Sequence, residues 1–186
     1  AGADVLVCDS KILEVLAKLE GLSLPSAPGA DIVETLFAEH ILADEAIVVI
    51  GGDEALIGDL KARYGLTNVL WHEPPFGLRK NPEAIADAAK FIVENTARFA
   101  FLCVGSPQQE MVAKAAKALG TGSGVMLCCG ASLEFLTGKV ERAPKWMRDN
   151  RLEWLHRLAS EPGRLWKRYL IDGPRIFLIW WKSRGR

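Results

Sequence analysis

The chain has 186 residues, of which 49% are hydrophobic and 25% are charged, and its formal net charge is zero. This length and composition suit one α/β domain with a short appendage and exclude a disordered chain. No run of eighteen uncharged apolar residues occurs, so no segment is predicted to span a membrane. The chain opens on a strand-like stretch rather than a signal peptide. It begins without an initiator Met, and we expect an N-terminal segment to be missing.

The zero net charge hides an asymmetry along the chain. Residues 1–141 carry 11 Lys and Arg against 19 Asp and Glu, whereas residues 142–186 carry 12 against 4. Five of the six tryptophans also lie in the second segment. A basic, aromatic tail of this kind indicates an anionic partner, namely a membrane surface, a nucleic acid or a phosphorylated ligand.

Short apolar, β-branched runs alternate with helical patterns through most of the chain. The predicted strands are Asp4–Cys8, Ala46–Ile50, Asn68–Trp71, Ala97–Val104 and Gly124–Cys129. The predicted helices are Lys11–Leu19, Asp31–His40, a segment from Gly52 through Tyr64, Asn81–Asn95 with Asn81 as N-cap, and Pro107–Leu119. The tail is mostly helical, with breaks near Pro162-Gly163 and Gly173-Pro174.

This alternation predicts an α/β fold with a Rossmann-like parallel sheet flanked by helices. The strands are continuously apolar, as expected for a sheet that is buried on both faces. We therefore expect an α/β domain over residues 1–141, which binds the substrate, and a helical, basic and aromatic appendage over residues 142–186.

The cysteines and histidines do not form a metal-binding pattern. Cys8, Cys103, Cys128 and Cys129 lie in or beside apolar runs, no CxxC pair occurs, and the three histidines are scattered. Zinc sites normally need clustered ligands, so a zinc site is disfavoured. We expect buried free thiols in a reducing cytoplasm.

Three of the turns that follow predicted strands begin with glycine, at Gly51-Gly52, Gly105 and Gly130. Ligands of parallel sheets bind beyond the carboxyl ends of the strands, where glycine lets the backbone approach a phosphate or a sugar. Neither GxGxxG nor GxxxxGK[ST] is present, which disfavours an ordinary dinucleotide or P-loop site. Ligand binding and simple turn geometry both remain open for these glycines.

The stretch from Gly105 to Glu110, GSPQQE, is more specific. Gln108, Gln109 and Glu110 occupy the first turn of a predicted helix, where amides can read the edge of a base or the hydroxyls of a sugar. The alternative is helix stabilisation, because a glutamate near a helix N-terminus is favourable in any protein.

Five ordered motifs carry a resemblance to a known family. They are GSPQQE (105–110), GASLEFLTG (130–138), RAPKW (142–146), LEWLHRL (152–158) and EPGRL followed by RY (161–165 and 168–169). ADVLVCDS (3–10), Gly51-Gly52 and PPF (74–76) match more loosely. In these motifs the sequence resembles the WecG/TagA/CpsF family, glycosyltransferase family 26.

The resemblance implies an inverting glycosyltransferase of bacterial cell-surface polysaccharide synthesis. The donor would be a UDP-sugar that carries a hexose or an N-acetylhexosamine (uronic acid), and the acceptor a polyprenyl-diphosphate-linked sugar. The expected location is cytoplasmic, peripheral on the inner face of the plasma membrane.

The resemblance also implies roles for individual residues. Asp9 takes the place of the proposed general base, with N-capping of the following helix as the alternative. The expected substrate- and nucleotide-binding residues are Gly51, Gly52, Gly105, Gln108, Gln109, Glu110, Gly130 and Glu134. Because no Asp-x-Asp pair is present to hold a divalent ion, we expect no metal cofactor. The diphosphate or the acceptor would be bound by Arg142, Arg157, Arg164 and Arg168, for which solvated helix faces and ion pairs are the alternative.

Some residues depart from the family pattern. Cys8 and Ser10 replace a proline and a glycine around Asp9, and Glu134 stands in place of an aspartate. A misplaced carboxylate reduces the rate of a reaction. A catalytically weak sugar-nucleotide-binding protein of the same fold is therefore the alternative function.

The end of the tail is suited to a membrane interface. Its apolar core, Ile176–Trp181, is too short to span a bilayer and is flanked by cationic residues. We expect this tail to bind an anionic membrane surface, with packing on the body or a homo-oligomer as alternatives. A nucleic-acid partner is disfavoured, because no nucleic-acid-binding motif occurs and the body is acidic.

Overall fold

A parallel sheet forms the centre of the protein in the computed structural model. The structure describes residues 2–120 and 124–183, except for the side chains of Arg164, Arg168 and Ser183. Within these residues the strands are β1 (Ile47–Ile50), β2 (Val69–His72), β3 (Phe99–Leu102) and β4 (Val125–Cys128). They lie in the order β2-β1-β3-β4, and all pairs are parallel.

Helices connect and follow these strands. In chain order they are α1 (Lys11–Leu19), α2 (Gly29–Thr35), α3 (Glu54–Tyr64), α4 (Pro82–Glu94), α5 (Gln108–Leu119), α6 (Ser132–Thr137), α7 (Lys145–Asp149), α8 (Glu153–Ser160), α9 (Pro162–Trp166) and α10 (Arg175–Ser183). Two of them continue as π-helical turns, α2 over Leu36–His40 and α9 over Lys167–Asp172, and a 3-10 turn at Leu78–Lys80 precedes α4.

The chain divides into two compact units. The sheet unit comprises the residues up to Val7 together with Ala27–Glu141, and it contains β1–β4 and α2–α6. The tail unit comprises Cys8–Ser26 together with the residues from Arg142 onward, and it contains α1 and α7–α10.

The sheet unit has three layers, because its two central strands are buried on both faces. Every residue of β1 and β3 is buried. Since successive side chains of a strand point to opposite faces, Ile47 and Val49 join one core, which α2, α3 and α6 cover. Val48 and Ile50 join the other core, which α4 and α5 cover. The predicted α/β fold with a parallel sheet is confirmed.

Local capping signals set several helix boundaries of the sheet unit. The Asn81 side chain accepts a hydrogen bond from the Ala84 N–H at 3.0 Å, and Pro82 occupies the first helical position of α4. This is the arrangement that the sequence predicted, since an N-cap side chain satisfies a free N–H group and proline lacks one. Gly65 ends α3 in the left-handed conformation.

The helical tail is also confirmed. Its helices break where the sequence predicted, with α8 ending at Ser160 before Pro162 and α10 beginning after Gly173-Pro174. In the other part of the tail unit, α1 is joined to Ser26 through Glu14, whose carboxylate accepts a hydrogen bond from the Ser26 hydroxyl at 2.7 Å.

The predicted strand at Asp4–Cys8 is wrong. Within this stretch the structure records one isolated bridge, between Cys8 and Ser26, and no ladder. Val5 and Leu6 are each 77% exposed, so the apolar run is not part of either core. The run has the β-branched composition of a strand, but a strand also needs a neighbour that pairs with its backbone groups.

Candidate functional site

The turns that follow the strands gather at one edge of the sheet, which we call the carboxyl edge. Because all the strands are parallel, their carboxyl ends meet there. The chain passes from β1 to β2 in one direction and then crosses back to β3, so the strand order reverses between β1 and β3. Ligands of open α/β sheets bind in the crevice outside such a reversal.

The turn after β1 is glycine-rich because it lies against the turn after β3. Gly51 has a φ of +95°, and a Cβ atom there would lie 2.8 Å from Cγ1 of Val104 and 3.1 Å from the carbonyl carbon of Cys103. On the other side, the indole N–H of Trp71 donates a hydrogen bond to the Gly51 carbonyl at 3.0 Å. Glycine is thus required for the two turns to pack this closely.

A side chain of the protein itself caps the N-terminus of α3. Oδ1 of Asp53 accepts from the Leu56 N–H at 2.9 Å, and Oδ2 accepts a short hydrogen bond from Nζ of Lys139. Lys139 in the first place, and the Leu56 N–H next, hold the pKa of Asp53 below its usual range. The same hydrogen bond raises the pKa of Lys139. An anionic ligand at this helix start would have to displace or join Asp53.

The turn after β3 presents a different helix start. Pro107 occupies the N-cap position of α5 and provides no side-chain cap, and the Ser106–Pro107 peptide bond is cis. Gln108, Gln109 and Glu110 form the first turn of the helix. Within the described residues, Oε1 of Gln108 is buried and has no hydrogen-bond partner. A buried polar atom in this state is costly unless a ligand or water satisfies it.

Gln109 connects the turns after β3 and β4. It is 7% exposed, and its Oε1 accepts from the Gly130 N–H at 2.9 Å. Its Nε2 donates to Oε1 of Glu110 at 3.1 Å. The amide of Gln109 therefore positions the two turns relative to each other, and its predicted contact with a ligand stays a prediction.

The turn after β4 leads directly into α6. Gly130 has a φ of +55°, and the Ser132 hydroxyl donates to the carbonyl of Cys129 at 2.6 Å. Glu134 lies in the first turn of α6 and is partly buried. Its negative charge contributes to the raised pKa of Lys139, after the hydrogen bond with Asp53. Asp53 and Lys139 thus form an ion pair at the carboxyl edge, and the charge of Glu134 acts on Lys139.

The structure brings one set of predicted site residues together. The residues predicted to bind substrate or nucleotide all belong to the sheet unit and to the turns of its carboxyl edge. Those residues are Gly51, Gly52, Gly105, Gln108, Gln109, Glu110, Gly130 and Glu134. Asp9 and the four predicted arginines belong to the tail unit.

Asp9 lies at the start of α1 and is exposed. It does not follow a strand, because the predicted strand before it is absent. Ser10 is the N-cap of α1, and its hydroxyl accepts from the Leu13 N–H at 3.2 Å. The capping position that was the alternative for Asp9 is thus filled by its neighbour.

Of the four predicted arginines, the structure describes the side chains of Arg142 and Arg157. Nε of Arg142 lies 3.7 Å from Oε1 of Glu153, and its side chain is largely buried. Arg157 lies on α8 and is partly buried. The side chains of Arg164 and Arg168 lie outside the described part of the structure. An ion pair is therefore observed for Arg142.

The tail unit exposes large apolar side chains on its last helix. On α10, Leu178 is 65%, Ile179 67% and Trp181 73% exposed. Over residues 2–120 and 124–183, no helix combines the length and the apolar character needed to cross a bilayer. Across the same residues, no cluster of three or more His, Cys, Asp or Glu side chains is arranged to hold a metal ion.

The sequence did not indicate that Asp53 and Lys139 form a pair at the carboxyl edge. Asp53 directly precedes α3, and an aspartate at this position is a local N-cap signal. Lys139 carried no local signal, because it meets Asp53 across 86 residues of sequence.

An α/β sheet with a polar, glycine-rich carboxyl edge defines a class of proteins that bind small, often phosphorylated, ligands. A sequence profile described as "Glycosyl transferase WecG/TagA/CpsF family" matches residues 1–186. The chain belongs to this family. Membership supports a glycosyltransferase role in polysaccharide synthesis.

Proposed function

We propose that the protein is an inverting glycosyltransferase of bacterial cell-surface polysaccharide synthesis. It transfers a hexose or an N-acetylhexosamine (uronic acid) from a UDP-sugar to a polyprenyl-diphosphate-linked sugar. The observation that carries this proposal is the family match over the whole chain. The glycine turns beside the reversal of strand order support it, because this is where sheets of this class bind nucleotides.

In this proposal the carboxyl edge of the sheet unit binds the donor. The turn at Gly51 and Gly52 borders the donor, and its glycines allow the close packing of this edge, since a Cβ atom would meet Val104 at Gly51 and Leu56 at Gly52. The buried amide oxygen of Gln108 is an acceptor suited to a hydroxyl or an N–H group of the donor. Gln109 holds the turns after β3 and β4 at a fixed spacing.

Asp9 acts as the general base. In a single displacement the Asp9 carboxylate takes the proton of the acceptor hydroxyl while that oxygen bonds to the anomeric carbon. The bond from the anomeric carbon to the UDP oxygen breaks in the same step, and UDP leaves with the electron pair. The exposure of Asp9 supports this role, since an exposed carboxylate can reach the hydroxyl of an acceptor.

Arginines of the tail unit stabilise the diphosphate in place of a metal ion. Guanidinium groups bind phosphate with two parallel hydrogen bonds and stay charged. Arg157, Arg164 and Arg168 are the candidates, together with Arg142 if its pairing with Glu153 is exchanged for the ligand. We expect undiminished turnover in EDTA, and strict dependence on Mg²⁺ would contradict this part of the proposal.

The tail unit binds the anionic membrane surface that holds the acceptor. The exposed indole and aliphatic side chains of α10 suit the interface, where indoles lie at headgroup level and cations meet anionic lipid. Removing residues 174–186 should abolish sedimentation with vesicles of phosphatidylglycerol and phosphatidylcholine. Leu119→Ala is the matched control, because Leu119 is an exposed leucine of the sheet unit. Unchanged vesicle binding after the deletion would contradict membrane attachment through α10.

The experiment that tests the function is a donor screen with a short-chain polyprenyl-diphosphate sugar as acceptor. We expect acceptor-dependent release of UDP from one of the UDP-hexoses or UDP-N-acetylhexosamines, with formation of the extended lipid-linked sugar. The departures at Cys8, Ser10 and Glu134 favour the second candidate, a weak sugar-nucleotide-binding protein. UDP binding without transfer would support that candidate. If the protein neither binds UDP nor transfers a sugar, the family's glycosyltransferase activity would be rejected for this chain.

A further inference from the structure

Two cysteine side chains meet directly beneath the carboxyl edge. Cys103 is the first residue after β3, Cys129 is the first residue after β4, and their Sγ atoms lie 3.4 Å apart. The Cys129 N–H donates to the Leu102 carbonyl at 3.1 Å, so the ladder of the sheet extends to this pair. Both residues are partly buried and both are free thiols.

The register of the sheet makes these two cysteines direct neighbours. Leu102 pairs with Cys128 in the parallel ladder, so the next step along both strands pairs Cys103 with Cys129. Adjacent strands lie about 4.7–4.9 Å apart, which is within the range of about 4.4–6.8 Å between the Cα atoms of a disulfide. The backbone spacing therefore already suits a bond, and the sulfurs have to approach by about 1.4 Å.

The neighbouring Cys128 is placed differently. Successive residues of a strand point to opposite faces, and Cys103 and Cys129 both pack against the core that α3 and α6 cover. Cys128 is exposed, contrary to the expectation of buried thiols, yet partial desolvation of its sulfur and then the charge of Glu110 raise the pKa of Cys128 to about 11. Glu110 belongs to α5, which covers the other face of the sheet. Cys128 is therefore directed away from the pair.

We propose that Cys103 and Cys129 form a redox-active dithiol that closes to an intramolecular disulfide across the ends of β3 and β4. The co-reactant is a hydroperoxide. One thiol attacks the peroxide oxygen, which gives a sulfenic acid and an alcohol. The second thiol then displaces water from that sulfur and forms the S–S bond. The two cysteines lose two electrons, and the O–O bond of the peroxide accepts them.

The position of the pair connects this reaction to the carboxyl edge. Cys103 lies two residues before Gly105, and Cys129 directly precedes Gly130, whose N–H is bound by Gln109. A bond between the sulfurs fixes the base of both turns. Hydrogen bonding with Cys129 and burial both raise the pKa of Cys103, so we expect the reaction to be slow near neutral pH, where the thiolate is scarce, and to become faster as the pH rises.

The test is oxidation of the full chain with tert-butyl hydroperoxide, followed by thiol titration and peptide mapping without reductant. The reduced protein has four thiols, and we expect two after oxidation, with full recovery in dithiothreitol. The link should join the peptide of Cys103 to the peptide that holds both Cys128 and Cys129. Cys129→Ser should abolish the link, whereas Cys128→Ser and Cys8→Ser should retain it.

Several results would overturn the inference. One is a link that persists in Cys129→Ser, because Cys128 would then be the partner. Another is a wild-type protein that keeps four thiols at a peroxide concentration that oxidises a small dithiol. If the single variants at Cys103 and Cys129 do not fold, the double variant Cys8→Ser, Cys128→Ser retains only the proposed pair. That variant must lose both of its thiols on oxidation, and retention of both would also reject the proposal.

Discussion

The sheet unit and the tail unit differ in where they place their apolar side chains. In the sheet unit, every residue of β1 and β3 is buried between two helical layers. In the tail unit, α10 leaves Leu178, Ile179 and Trp181 mostly exposed. One unit thus buries its apolar residues to fix a sheet and its carboxyl edge. In the other, α10 exposes large apolar side chains, and exposed apolar surface of this kind is typical of sites that bind a partner.

The two parts of the chain also differ in charge. Residues 1–141 are acidic, and residues 142–186 are basic and hold most of the tryptophans. In our proposal the sheet unit binds the sugar nucleotide, and the tail unit supplies the base and the cations and meets the membrane. Substitution of the base in the tail unit should therefore change kcat, whereas substitutions at the carboxyl edge should change the KM for the donor or the stability of the fold.

The largest effect is expected at Asp9, in the tail unit. Asp9→Asn removes the proton acceptor and should lower kcat by about 10²–10⁴-fold, the usual contribution of a general base. The fold and the binding of UDP should be unchanged. Asp4→Asn is the matched control, because Asp4 forms an exposed ion pair with Lys117 at 2.6 Å. Exposed pairs contribute little, so this control should turn over like the wild type. A wild-type rate for Asp9→Asn would remove Asp9 from the mechanism.

The second prediction separates two adjacent glutamines of the sheet unit. Gln109→Leu leaves the Gly130 N–H without its acceptor and should lower the free energy of unfolding by about 1–3 kcal/mol. Gln108→Leu removes a side-chain oxygen that has no partner among the described residues. It should leave the free energy of unfolding unchanged or raise it, because no hydrogen bond is lost, while raising the KM for the donor.

Urea unfolding and initial-rate kinetics on both glutamine variants measure these effects. Equal losses of stability would show that Gln109 is not the residue that positions the turns. An unchanged KM in Gln108→Leu would remove Gln108 from donor binding.

The third prediction concerns the close approach of the turns after β1 and β3. Gly51→Ala places a methyl group 2.8 Å from Val104 in a left-handed conformation, and should cost about 1–3 kcal/mol of stability. Gly58→Ala is the matched control, because a Cβ atom there meets nothing within 4 Å and Gly58 lies inside α3. That substitution should stabilise the protein by about 0.5–1 kcal/mol. Thermal unfolding distinguishes the two, and equal effects would show that the turns can separate freely.

The smallest effect is a pH dependence at Asp53. Lys139 holds the pKa of Asp53 below that of an unfolded aspartate, about 3.9. The pair therefore stabilises the fold at pH values above the unfolded pKa, and this stabilisation is lost as the pH falls through the lower folded pKa. Asp53→Asn keeps an oxygen to cap α3 but loses the charge.

The melting temperatures of wild type and Asp53→Asn should differ slightly at neutral pH and converge in strong acid. A difference that is independent of pH would mean that the pair with Lys139 does not stabilise the fold.

Local patterns in the sequence predicted most of the sheet unit. The continuously apolar runs at β1 and β3 indicated a sheet buried on both faces, and Asn81-Pro82 indicated the start of α4. These signals are local, because an apolar run and a helix cap are each visible in a few consecutive residues. The stretch Asp4–Cys8 has the same composition as a strand, but it forms only a single bridge. Composition alone does not reveal whether a neighbouring strand is present to pair with it.

The contacts of the site could not be predicted in the same way. The sequence indicated that Gln109 and Gly130 lie at one edge, but it did not show that the glutamine binds the glycine N–H. The same holds for Asp53 with Lys139 and for Cys103 with Cys129, which join distant parts of the chain. Register and helix placement create these contacts, and both depend on the packing of the complete sheet.

The most direct test of the central claim is amide hydrogen exchange of the full chain with and without UDP. If the carboxyl edge of the sheet unit binds the nucleotide, UDP should slow exchange in the turns after β1, β3 and β4, at residues 51–53, 105–110 and 130–134. Exchange in α4, which packs against the face of the sheet, should be unchanged. Protection confined to regions outside these turns, or no protection at UDP concentrations that saturate binding, would contradict the account.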